Sequence, residues 1–60
     1  MIEMKERLYI AEWDDGHDRG DFEFYSCYRA GSRQNKEDAY KEYRKRYGKR
    51  NVIFTCIYLK

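Results

Sequence analysis

Residues 35–48, Asn35-Lys36-Glu37-Asp38-Ala39-Tyr40-Lys41-Glu42-Tyr43-Arg44-Lys45-Arg46-Tyr47-Gly48, decide the fold. Ala39, Tyr40, Tyr43 and Tyr47 recur at the spacing of one stripe on a 3.6-residue helix, and nearly every residue between them is charged. Asn35 suits the N-cap, with Ser32 as the competing cap. Glu37 and Asp38 then fall in the first turn, where carboxylates meet the positive end of the helix dipole. Arg44, Lys45 and Arg46 crowd the last turns, and Gly48 can supply the positive φ that ends them. The spacing predicts a helix over residues 36–47.

Upstream lie two strand patterns. Residues 7–13 read Arg-Leu-Tyr-Ile-Ala-Glu-Trp, and residues 22–29 read Phe-Glu-Phe-Tyr-Ser-Cys-Tyr-Arg. Polar and glycine residues 14–21 separate them, which predicts a hairpin with an open loop. Downstream, residues 51–59 read Asn-Val-Ile-Phe-Thr-Cys-Ile-Tyr-Leu, a third strand. The order is ββαβ, a single α+β domain over residues 1–60. A hairpin makes the first two strands antiparallel, and the helix returns the chain. The third strand therefore runs parallel to the second and finds its antiparallel neighbour in the first. That gives sheet order 2-1-3, a right-handed crossover and one helix on one face.

Composition narrows the class of protein. The chain has 60 residues, 40% of them charged, yet 13 bases and 11 acids leave only +2. Its 18% aromatic content supplies the burial that disordered chains lack. A domain this short buries only about 60% of its unfolded surface, so self-association or a partner would add needed support. No apolar run approaches the length of a membrane span. The charged start leads directly into a strand pattern rather than an apolar leader core, so the expected location is the cytoplasm. Cys27 and Cys56 form no C-x-x-C pair and have one histidine to assist them, which supports neither a zinc site nor a disulfide framework. Both are expected as small buried or half-buried side chains.

Splitting each strand by its two-residue period yields two nearly equally apolar sets. Leu8, Ile10, Phe22, Phe24, Tyr28, Ile53, Ile57 and Leu59 carry the aliphatic bulk and are assigned to the helix side. Tyr9, Ala11, Trp13, Tyr25, Cys27, Val52, Phe54, Cys56 and Tyr58 are assigned to the open face. An uncovered face carrying Tyr9, Trp13, Tyr25, Phe54 and Tyr58 predicts a surface for a homodimer or a protein partner. A second possibility is nucleic acid, held by the basic group Arg44, Lys45, Arg46, Lys49 and Arg50. Charge is uneven along the chain: residues 1–25 hold eight acids and three bases, and residues 36–50 hold seven bases and three acids.

No reaction is indicated. Asp14, Asp15, His17, Asp18 and Asp21 gather the candidate metal ligands, but without the EF-hand spacing, and such residues are also ordinary in an exposed loop. Cys27 or Cys56 paired with His17 would join mid-strand thiols to a loop tip. No nucleophile elbow and no phosphate-cradling glycine loop is present. A non-enzymatic module without cofactor, metal or small-molecule substrate is expected.

The run Tyr28-Arg29-Ala30-Gly31-Ser32, Glu37-Asp38-Ala39-Tyr40, Tyr47-Gly48 and Ile53-Phe54 resembles small single-domain ββαβ proteins of phages and prophages. The resemblance implies the fold and a mobile-element source, with no specific activity. Lys49-Arg50-Asn51-Val52-Ile53 is also similar to the end of the LX-type domain of the large ribosomal subunit, which has the same element order. That likeness implies contact with ribosomal RNA.

Overall fold

The computed structural model describes residues 5–60, so the start of the charged leader, residues 1–4, lies outside the described residues. Strand β1 (Arg7–Asp14) and strand β2 (Arg19–Ser26) precede helix α1 (Arg33–Tyr47), and strand β3 (Ile53–Leu59) follows it. The sheet order is β2-β1-β3, with β1 antiparallel to both neighbours. The expected ββαβ architecture and strand order are therefore the observed ones.

The hairpin is tighter than its polar sequence suggests. Asp14 pairs with Arg19, so the loop shrinks to residues 15–18. Two aspartates close it: Asp14 Oδ1 accepts the Gly16 N–H at 2.8 Å, and Asp15 Oδ1 accepts those of His17 and Asp18 at 2.9 and 2.6 Å. Gly20 extends the ladder for a steric reason. The Trp13 indole lies across it, and a Cβ there would sit 2.8 Å from Trp13 Cζ2.

The helix starts earlier than expected. Ser32, the competing cap, takes the role by accepting the Asn35 N–H on its hydroxyl at 3.3 Å. Asn35 is instead fully buried inside the first turn. Its side chain accepts the Gly31 N–H at 3.1 Å and donates to the Tyr28 carbonyl at 3.3 Å, tying the connector to the helix. Glu37 and Asp38 consequently lie beyond the first turn. Gly48, at φ 89°, ends the helix, and its N–H donates to the Arg44 carbonyl.

The core corrects the assignment of faces. Tyr9, Ala11, Trp13, Phe22, Phe24, Ala39 and Tyr43 form the buried cluster, with Tyr40, Val52, Phe54 and Ile57 packed against it. Strand β2 presents the expected residues to the helix. Strand β1 is turned over: Tyr9, Ala11 and Trp13 lie under the helix, and by alternation Leu8 and Ile10 face outward. The reason is reach. Rings fill the space between sheet and helix: Trp13 meets Tyr43 at 5.2 Å and Tyr47 at 5.0 Å, and Tyr9 stacks on its strand neighbour Phe24 at 5.7 Å. Ala11 on the central strand leaves room for Phe22 and Phe54 to meet edge to face at 6.1 Å.

Strand β3 departs from strict alternation. Glu12 pairs with Cys56 but Trp13 pairs with Phe54, so Thr55 is an extra residue in a β-bulge. Its hydroxyl donates to the Glu12 carbonyl at 3.3 Å. The bulge lets Phe54 and Ile57, three apart, both reach the core. Val52, expected on the open face, packs against the same core just before the strand begins.

Candidate functional site

The five aromatics expected to share one open surface are divided. Tyr9 and Trp13 are 6% and 7% exposed and belong to the core, and Phe54 is half-buried against it. Tyr25 and Tyr58 remain outward, at 64% and 43% exposure. Around them the open face is mixed rather than aromatic: Leu8, Ile10 and Glu12 from β1, Glu23 from β2. The Lys60 ammonium pairs with the Glu23 carboxylate across β1, a contact that raises the lysine pKa. Partial burial, then the nearby Glu12 and Asp21 carboxylates, raise the Tyr58 phenol pKa.

What the structure isolates instead are the two sheet edges. Strand β3 carries no charge in Ile53–Leu59. Ile53 is 71% and Leu59 51% exposed. The helix rests on β2 rather than β3. Ser26 Oγ donates to Asp38 Oδ2 at 2.8 Å at one end of that contact, and Arg46 reaches the Glu23 carbonyl at the other. The outer flank of β3 is therefore left uncovered. Strand β2 has the opposite character, with Arg19, Asp21 and Glu23 along it. Proteins guard edges with charge, and only one of these edges is guarded.

The basic group at the helix exit is not a single patch. Arg46 bonds Glu42 at 2.9 Å and lies over the Phe22 ring, Arg50 is 3.9 Å from Asp15, and Arg44 covers the Tyr40 ring. Lys45 and Lys49 join Lys41, Arg44, Phe24 and Tyr25 in a groove of about 670 Å³ between the helix and β2. Asp38 and Glu42 also line it, but Ser26 and Arg46 already engage them. Lys41, Lys45 and Lys49 have no ion-pair partner among the described residues. Lys41 was legible only as part of a mixed solvated helix surface. The signal that could have found it is the four-residue spacing of Lys41 and Lys45, neighbours on one row of the helix.

The remaining chemistry-bearing residues serve the fold or lie apart. The loop carboxylates of Asp14 and Asp15 turn back onto their own backbone, and the amides of Asp18 and His17 lower the Asp15 pKa. No cluster of three potential metal ligands occurs among the described residues. Cys27 is half-buried, whereas Cys56 is exposed, contrary to the burial expected of it. Among the described residues no helix is long and apolar enough to cross a membrane. Compared with family models, with curated proteins and with solved structures, the chain matches none.

Proposed function

We infer that this chain is a small non-enzymatic binding module of the cytoplasm that associates with a second copy of itself through the outer edge of β3. The supporting observation is that edge itself: seven residues without a charge, among which Ile53, Tyr58 and Leu59 are exposed. An uncharged edge suits an uncharged partner strand, and among the described strands β3 alone meets that condition. Pairing β3 with its own copy also closes the assembly, because a two-fold interface uses up the edge on both subunits.

The alternation of backbone groups suggests a register. The Lys60 N–H donates to the Leu8 carbonyl, and Leu8 and Ile10 thus direct their backbone groups toward β3. Ile57 and Leu59, opposite the odd residues of β1, point their own N–H and C=O groups outward. An antiparallel pairing centred on Tyr58 would set Ile57 against Leu59 of the second copy. This keeps Tyr58, one of the aromatics expected at an interface, in the middle of it. The bulge at Thr55 confines pairing to the strand beyond it.

Light scattering and sedimentation over a dilution series test the reading. A dimer is expected, reduced to a monomer by Leu59→Lys, which places an unpaired cation against the partner strand. Ile53→Lys, on the far side of the bulge, should leave it intact. A wild-type chain monomeric at every concentration, or a Leu59→Lys variant still dimeric, would remove this function.

A further inference from the structure

We propose that the opposite edge, β2, is a second binding site: it takes an extended peptide with acidic residues at alternate positions, added as a strand beside β2 beneath the lysine row of α1. The argument begins with backbone direction. Odd residues of β1 bond to β2, so their partners Phe22, Phe24 and Ser26 face inward. Asp21, Glu23 and Tyr25 therefore turn their N–H and C=O groups outward. The Glu23 carbonyl confirms that direction, since Arg46 Nη2 reaches it from the helix side at 3.5 Å. Apart from that carbonyl, these outward groups are unpaired among the described residues, and such groups are what an added strand uses.

Charge and spacing select the peptide. The helix runs antiparallel to β2, from Asp38 beside Ser26 to Arg46 beside Glu23. Lys41 and Lys45 of α1 line the groove along that flank, with Lys49 just past the Gly48 cap. Residues four apart on a helix recur about every 6 Å. Same-face residues of a strand recur about every 6.6 Å. A carboxylate at every second position of the added strand would thus meet successive lysines. The intervening positions fall on the open side, beside Asp21, which has no ion-pair partner among the described residues and would repel acids. A contiguous acidic block satisfies the first condition and violates the second. The groove stays positive because its four cations, Lys41, Arg44, Lys45 and Lys49, outnumber its two acids, and Arg46 pairs one of these, Glu42, while Asp38 keeps its charge beside Ser26. A single-stranded nucleic acid could use the lysines but not the strand backbone. The peptide uses both.

The test uses the full chain and three probes: a ten-residue peptide of alternating Glu and Thr, a peptide of the same composition with its glutamates contiguous, and oligothymidylate. Fluorescence anisotropy at physiological salt should give the alternating peptide at least ten-fold tighter binding than either of the others. Amide resonances of Asp21, Glu23 and Tyr25 should shift most. Reversing Lys41 and Lys45 together to Glu should lose at least ten-fold in affinity and create binding to an alternating Lys and Thr peptide. If that variant does not fold, the Gln pair Lys41→Gln and Lys45→Gln should show the loss alone. Equal or tighter binding of the block peptide or oligothymidylate would overturn the proposal, as would shifts that spare the β2 amides.

Discussion

Of the two faces of the sheet, the one under the helix is built of rings and the open one of aliphatics and charge. Beneath α1, Tyr9, Trp13, Phe22, Phe24 and Tyr43 fill the interlayer space, with Ala11 and Ala39 as the small residues between them. On the other side Leu8, Ile10 and Tyr58 alternate with Glu12 and Glu23. Aliphatic bulk is a poor guide to the interior of so small a domain. One helix over three strands leaves a gap that rings fill at its centre, with Val52 and Ile57 only at its margin.

The largest effect should separate the faces outright. Trp13→Ala removes a ring packed against Tyr43 and Tyr47 and should destabilise the fold by about 3–5 kcal/mol, enough to unfold much of the population. Ile10→Ala, one strand position away from that face, should lose only a fraction of this in denaturant titration. Equal losses would erase the distinction.

A second change tests how closely the ring face is fitted. Gly20→Ala forces a methyl to within 2.8 Å of the Trp13 indole, backed by Tyr47 and Tyr43. Overpacking of this kind should remove about 1–3 kcal/mol and shift the Trp13 fluorescence maximum. An unchanged spectrum with unchanged melting would show the indole to be free to move.

The smallest effect has the opposite sign. The Tyr43 hydroxyl is buried without a hydrogen-bond partner among the described residues, and such groups destabilise. Tyr43→Phe should gain about 1 kcal/mol in chemical denaturation. Burial, with the Asp15 carboxylate adding to it, also raises the Tyr43 pKa above its ordinary 10.0. The unfolded chain therefore ionises first as pH rises. Ionisation of this phenol thus leaves stability unchanged below pH 10.0 and lowers it above, as pH rises toward the folded pKa. In Tyr43→Phe that part of the alkaline decline should vanish.

The sequence disclosed the elements and their order, because a charged helix with one tyrosine stripe and three β-rich runs has few alternative arrangements. It disclosed the face of β2, where Phe22 and Phe24 stand against Glu23. It did not disclose the face of β1, where Leu8 and Ile10 compete with Tyr9 and Trp13 and both sets are apolar. Nor did it disclose Thr55 as an extra residue, since nothing local distinguishes a bulge in an unbroken apolar run. The candidate surface suffered accordingly: of five aromatics placed outside, only Tyr25 and Tyr58 are clearly there. The pair Lys41 and Lys45 stands four apart in the sequence, but nothing local to it places the distant β2 beside it.

The bulge at Thr55 makes β3 a text read in two frames. Before it, Phe54 is the inward letter; after it, Ile57 and Leu59 are, and the shift falls between them. A substitution rule learned on one half of this strand is wrong by one residue on the other. In the same seven residues, core and edge obey different grammars, so the chain can change what it pairs with beyond Thr55 while the word that anchors Phe54 stays the same.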